Sequence, residues 1–161
     1  VKFAYEALPK VWAEVMLLAE MHWKETEMYR RGQEFAPKKD TYFLYAEREL
    51  FLLFTARVEG ALVGYAGMYL MPSMHSAVLI ATEDTWYLHP EHRKGRNAIR
   101  FVQFVENELR QRGAVELWMN AKIANGAGRI LEYLDYAAIA TRYYKALSEE
   151  HYVRTKSACN A

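Results

Sequence analysis

Leu88-His89-Pro90-Glu91-His92-Arg93-Lys94-Gly95-Arg96-Asn97-Ala98-Ile99 joins an apolar strand to an amphipathic helix through a basic turn that contains one glycine. The stretch reads as an anion cradle. Successive backbone N–H groups of such a turn gather at the positive end of a helix dipole, so a phosphate ester placed there is hydrogen-bonded and neutralised without a metal. Arg93, Lys94 and Arg96 add full charges. Downstream, Ala98, Val102, Val105 and Leu109 recur at helical spacing, Arg110 and Arg112 fall in the last turn, and Gly113 supplies the stop. A basic turn also suits an ordinary solvated loop, so its neighbours must decide between the two readings.

Upstream, Pro9 sits where a first helical turn tolerates it, and Leu8, Val11, Trp12, Val15, Leu18, Ala19, His22 and Trp23 form an apolar stripe, which predicts a first helix. Gly32 and Pro37 bracket a polar connection, and Asp40 caps a short second helix through about Leu50. Phe51 to Val58 and Ala61 to Met71 read as strands joined by a tight Glu59-Gly60 hairpin, with Gly64 and Gly67 marking a close backbone approach or a bulge. Ala77 to Leu88 is a third strand running into the cradle. After the central helix, Val115 to Ala121 is a strand, Asn125-Gly126 opens a short helix to about Leu134, and Ala137 to Leu147 supplies a last strand. The order α-α-β-β-β-α-β-α-β predicts an α+β domain around one mixed sheet.

The chain of 161 residues, 52% hydrophobic, is long enough for one domain with a sizeable core, here taken as 1–161 with a polar, frayed tail from about 148. A net charge of +1 with interspersed acids and bases offers no broad field for nucleic acid, so a polyanion contact would be local, as at Arg93 to Arg96. The single cysteine, Cys159, cannot form an intrachain disulfide, which suits a reducing compartment. No apolar run approaches the ~20 residues that span a bilayer, and the start shows no signal-peptide pattern. A cytoplasmic protein is expected.

The cradle resembles motif A of the GNAT N-acetyltransferase superfamily, in which a strand ending in Val-x-Pro is followed by Gln/Arg-x-x-Gly-x-Gly/Ala and a helix. Arg93 and Ala98 match the first and last positions. The central glycine is displaced, with Arg96 in its place and Gly95 one residue earlier, as in the Arg-Gly-Gly-x-x-Gly turns of phage and bacterial members. Leu117-Trp118-Met119-Asn120-Ala121-Lys122-Ile123-Ala124-Asn125 looks like the family's fifth strand and the asparagine after it. Ile130-Leu131-Glu132-Tyr133-Leu134-Asp135-Tyr136 resembles its Leu-Tyr-Glu-Lys-Leu-Gly-Phe segment, and Tyr143-Tyr144-Lys145-Ala146-Leu147 its closing strand. The resemblance runs from about Phe51 to Leu147. It implies a mainly antiparallel GNAT-like sheet flanked by helices, acetyl-CoA as donor, an amine as acceptor, direct transfer and no metal.

For cofactor binding the resemblance implicates Leu88, His89, Arg93, Lys94, Gly95, Arg96, Asn97, Ala98 and Ile99, with Asn120 and Asn125 after the fifth strand. The thioester carbonyl would meet a backbone N–H at or next to Leu88, and Pro90, which has no N–H, helps the strand peel from its neighbour. Glu83-Asp84 is the acidic pair within the strand leading to the cradle, and either could take the amine's proton; an exposed edge or an ion pair is the competing reading. Regular alternation puts Asp84 on the face of Leu88 and Glu83 on the other, and one bulge would exchange them.

The tyrosine that many relatives use to protonate the leaving thiolate is not matched: Leu131 or Glu132 occupies its place, depending on alignment, and Tyr133 is about 100° or more around the helix from either. Tyr133 is therefore expected at a packed or rim position. Trp12, Trp23, Tyr42, Phe43 and Tyr45 fit plain packing, His89 and His92 border the cradle as surface histidines, and Glu20, His22, Glu25 and Glu27 fit a solvated helix face. Three functions compete: an N-acetyltransferase acting on a primary amine of a small molecule or protein, a non-catalytic acyl-CoA-binding module of the same fold, and a nucleic-acid-contacting protein, which the charge balance disfavours. A homodimer is compatible with any of them.

Overall fold

The computed structural model describes residues 1–27, 33–145 and 147. Its first strand, β1 (Lys2–Tyr5), precedes two helices, α1 (Leu8–Thr26) and α2 (Lys39–Glu47). Three strands follow, β2 (Phe51–Val58), β3 (Ala61–Pro72) and β4 (Leu79–Leu88), and then a 3-10 turn over Pro90–His92. Helix α3 (Asn97–Gln111), strand β5 (Ala114–Trp118) and the short helix α4 (Gly128–Tyr133) complete the order. One five-stranded sheet runs β1-β2-β3-β4-β5, antiparallel except where β4 meets β5 in parallel. This is the expected mixed, mainly antiparallel α+β fold.

Two apolar layers hold the sheet between helices. On one face, α1 buries Leu8, Val11, Val15, Leu18 and Ala19, the stripe at helical spacing, against Phe51, Leu53, Tyr65 and Tyr87. On the other, α3 buries Phe101, Val105 and Leu109 against Leu52, Phe54, Met68, Ala81 and Leu88. Each such large side chain, taken out of water, stabilises the fold by roughly 1.5–3 kcal/mol. Glu59 and Gly60, both at positive φ, close the β2–β3 hairpin as the sequence predicts. Strand β1, which sequence reading did not find, pairs with β2 and stacks Phe3 on Phe101 at 5.2 Å.

The last predicted strand is not formed: among the described residues of 137–147 no strand is present, and β5 pairs with β4 alone. Strand formers there have no sheet edge alongside them, and β propensity without a partner does not make a strand. The tail from 148, with Cys159, lies outside the described residues. No described helix is long and apolar enough to cross a membrane.

Two irregularities in β4 set up the site. The ladder to β5 stops at Thr82 opposite Trp118, so Glu83 to Leu88 have β3 on one side and no β5 partner on the other. Opposite Gly67 and Met68 the β3–β4 register skips Asp84, which is the extra residue of a β-bulge. Because of the bulge, Leu79 and Ala81 face the α3 layer on odd positions, and Trp86 and Leu88 face it on even ones.

Candidate active site

The bulge decides between the two carboxylates. Asp84 turns to the α1/α2 face, where its Oδ2 accepts a hydrogen bond of 2.9 Å from the Tyr42 hydroxyl. The prediction from simple alternation, Asp84 on the Leu88 face, is thereby corrected, and the exchange has the stated cause of one inserted residue. Glu83 turns to the gap where β4 and β5 part, and its Oε2 accepts from the Asn120 side chain at 2.7 Å and the Asn120 backbone N–H at 3.2 Å. Burial raises both carboxyls above their ordinary pKa; hydrogen bonds from Asn120 to Glu83, and from Tyr42 and Tyr69 to Asp84, pull the other way. Neither is the exposed edge residue or ion-paired acid of the competing reading.

The end of β4 is held from both layers. His89 N–H donates to Val63 O at 2.8 Å, so the Leu88 N–H, pointing the opposite way along an extended strand, is directed into the gap that β5 has left. Gly64, opposite Leu88, is needed for the approach: a Cβ there would lie 2.8 Å from both Leu88 Cδ1 and Tyr87 O. Arg93 Nε donates to Leu88 O at 2.7 Å, its two terminal nitrogens take both Glu25 oxygens at 2.8 and 2.7 Å, and its guanidinium lies 5.2 Å over the Tyr87 ring. A fork satisfying a carboxylate and a carbonyl at once is the geometry for which guanidinium is suited. The sequence analysis counted Arg93 as a charge for the phosphate; the structure gives that charge to Glu25 and makes the side chain a clamp from α1 to β4.

The same end of α1 overturns a second expectation. His22, Glu25 and Glu27 do not form a solvated face: Glu27 pairs with Lys122 at 2.6 Å, and His22 Nδ1 lies 3.0 Å from Tyr65 Oη and 3.1 Å from Thr85 Oγ1. The imidazole stacks on Tyr87 at 4.9 Å between ring centroids. Burial holds its pKa down to about 4 against the pull of Glu25 and Glu27, so it is neutral at physiological pH. Glu20 alone keeps the expected solvated position, where it pairs with Lys24 at 2.7 Å. Beside this network, burial and Asp84 push the Tyr42 hydroxyl well above the ordinary phenol range and Tyr69 up to about 12, so both stay protonated donors toward the carboxylate.

At the cradle, Gly95 adopts φ +67°, and α3 starts two residues later. The first main-chain bond of the helix is Arg100 N–H to Arg96 O, and the N–H groups of Lys94 to Ile99 have no main-chain acceptor among the described residues. A run of donors at a helix N-terminus is an anion site by dipole and by hydrogen bonding. Lys94 is exposed, Ala98 packs into the α3 core, and Asn97 ties its Nδ2 to His92 O at 3.1 Å. Arg96 donates to the Tyr133 hydroxyl at 2.7 Å, so Tyr133, 59% exposed, stands at the rim of the cradle as predicted. Cradle and gap together suit an elongated molecule with phosphates at one end.

Asn125 Oδ1 accepts the Ala127 N–H at 3.1 Å, with Gly126 at φ +66°, and so helps turn the chain into α4. Asn120 serves Glu83. Tyr42 was read as packing, and it does pack, at 6.0 Å from the Trp12 ring, while its hydroxyl reaches Asp84. A separate open groove of about 650 Å³, lined by Tyr5, Glu6, Pro9, Asp40, Phe43 and Phe51 among others, contains neither carboxylate and no part of the cradle.

The site thus consists of a parted strand pair, two β4 carboxylates turned to opposite faces of the sheet and a helix N-terminus beyond the end of β4. The profile described as Acetyltransferase (GNAT) family matches residues 15–130, and the chain belongs to that family. No curated protein sequence matches it. Among solved structures it is similar to the ribosomal-protein-alanine N-acetyltransferase of Brucella melitensis biovar Abortus 2308, at 23% identity and TM-score 0.63 over 91% of this chain and 99% of the other. An aminoglycoside acetyltransferase from an uncultured soil metagenomic sample, solved with sisomicin, aligns over 91% and 96% at 14% identity and TM-score 0.72. A Trypanosoma brucei acetyltransferase aligns over 91% and 99% at 12% identity and TM-score 0.66. At these identities the likeness is one of fold.

Proposed function

We propose that this chain transfers an acetyl group from acetyl-CoA to a primary amine of a small molecule or a protein, by direct attack without an acyl-enzyme. The observation that carries the proposal is the Asp84 bulge, which turns a carboxylate of raised pKa to one face of β4 while the Leu88 N–H opens to the gap beside it. Acetyl-CoA supplies the activated thioester. The N–H groups of Lys94 to Ile99 hold its phosphates, with Lys94 and Arg96 adding charge, and Leu88 N–H donates to the carbonyl oxygen on which negative charge develops. Asp84 takes a proton from the acceptor ammonium, its raised pKa bringing it nearer the working pH of a base; the freed amine then attacks the thioester carbonyl, the C–S bond breaks and coenzyme A leaves as its thiolate. Tyr42 and Tyr69 orient Asp84, and Glu83 fixes the parted strand through Asn120.

Separate Asp84→Asn and Glu83→Gln variants test this, with coenzyme A binding measured beside turnover on a panel of amines. Asp84→Asn should lower kcat/KM by roughly 10²–10⁴ and abolish the acidic limb of the pH profile, with coenzyme A affinity kept. Glu83→Gln should lose less. If both keep the wild-type rate and profile, Asp84 is not the base. One observation favours the binding-only alternative: neither residue that alignment offers for the family's acid tyrosine, the buried Leu131 or the exposed Glu132, is a tyrosine. Tight acetyl-CoA binding with no transfer to any amine would establish that alternative.

A further inference from the structure

The transfer proposed above gives no step to the side chains of His89, Glu91 and His92, yet the structure folds them into one donor cluster. One ligand atom each from His89, Glu91 and His92 lies within 4.8 Å of the other two, and His89 Nδ1 is 4.0 Å from Glu91 Oε2. Two donors on one tetrahedral zinc ion, at about 2.0–2.2 Å from the metal, are about 3.3–3.6 Å apart, so side-chain rotations that draw the three atoms together by roughly an ångström close the set. Glu91, 82% exposed, is free to make them.

The backbone that carries the three donors is already locked. Pro90 fixes its own φ, His92 N–H closes the turn on His89 O at 2.8 Å, and Arg93 N–H follows on Pro90 O at 3.2 Å. His89 N–H is held by Val63 O at 2.8 Å, and His92 O by Asn97 Nδ2 at 3.1 Å. Binding an ion would then cost only side-chain ordering, because the main chain loses no freedom.

We propose that His89, Glu91 and His92 form a site for one divalent transition-metal ion of the zinc type. Two imidazoles and a carboxylate suit zinc, cobalt, nickel or copper better than calcium or magnesium, which favour oxygen. Three protein donors leave a fourth tetrahedral position for water or an anionic oxygen. The donor set carries the charge of Glu91 alone, so the bound dication leaves a net positive charge, and an anionic oxygen is the favoured fourth ligand. The site does not depend on acetyl transfer, and it exists whether or not the chain turns over.

The test is calorimetric titration of the full metal-free chain with zinc chloride alone, repeated on His89→Ala, His92→Ala and Glu91→Gln, and with cobalt(II) followed by absorbance. All three side chains are at least partly exposed, and circular dichroism with thermal melting confirms that the variants fold. The wild type should bind one zinc per chain, each histidine variant should bind at least tenfold more weakly, and cobalt should give the intense visible bands of four-coordinate geometry. Absence of binding to the wild type overturns the proposal. So does binding that survives in the double variant His89→Ala/His92→Ala, since the ion then sits on other residues.

Discussion

Arg93→Ala separates a clamp from a phosphate ligand. The substitution removes a charge-assisted bond of 2.7 Å to Leu88 O, worth roughly 1.5–3 kcal/mol. It also removes a forked pair with Glu25 whose side chains are 38% and 30% exposed, worth about 0.5–1 kcal/mol after screening. The guanidinium over Tyr87 at 5.2 Å adds roughly 0.5–1 kcal/mol. These contributions share one side chain and do not add fully, so we expect a loss of about 3 kcal/mol and a Tm lower by roughly 6–12 °C for a domain of this size. Scanning calorimetry measures it, and an Arg93/Glu25 double-mutant cycle should return a coupling that Arg96/Glu25 lacks. Arg96→Ala, which removes a bond to the exposed Tyr133 hydroxyl, should melt near wild type and weaken coenzyme A binding instead. Wild-type melting of Arg93→Ala with coenzyme A affinity down tenfold would refute the clamp and return Arg93 to the phosphates.

His22 makes stability pH-dependent: the unfolded chain takes its proton near pH 6.5, the folded chain only near pH 4, so stability falls as the pH drops through that window, by up to about 3 kcal/mol. Urea midpoints between pH 7 and 4 should show this, and His22→Gln should flatten the slope. Gly95 has no atom within 4 Å of where a Cβ would stand, so Gly95→Ala costs roughly 1–2 kcal/mol through its positive φ alone, Gly95→Asn less and Gly95→Val more. Thermal melts with coenzyme A titrations rank the three, and equal effects would contradict a backbone-determined turn.

Most elements of this fold could be read from the chain because their signals are local. The α1 stripe, the Glu59-Gly60 hairpin and the helix opening at Asn97 each lie within one window of spacing. The clamp could not be read, since Arg93 and Glu25 are far apart in sequence and nothing in either neighbourhood names the other. Tyr42 on Asp84 is hidden for the same reason. Strand β1 is four residues long, too short for alternation to show, and the strand expected at 137–147 had the right residues without a neighbour. The bulge is the instructive case. Positions 79 and 81 give way to 86 and 88 on one face of the strand, a switch of parity that marks an inserted residue, and Ile80 and Tyr87, apolar on the same stretches, hide that switch from a reading of the sequence.

Among the described residues strand β5 has a neighbour on one side only, and in that respect the sheet is unfinished. Its outer rim offers a row of amides and carbonyls to any extended peptide that drifts past, with Val115 at 65% and Trp118 at 47% exposure alongside. What keeps such a rim from seeding fibrils is its brevity and Glu116, whose carboxylate accepts the Trp118 indole N–H at 3.0 Å and interrupts an otherwise apolar run. The colloidal behaviour of the protein at high concentration is thus tied to the shortness of this strand and to one exposed carboxylate on it.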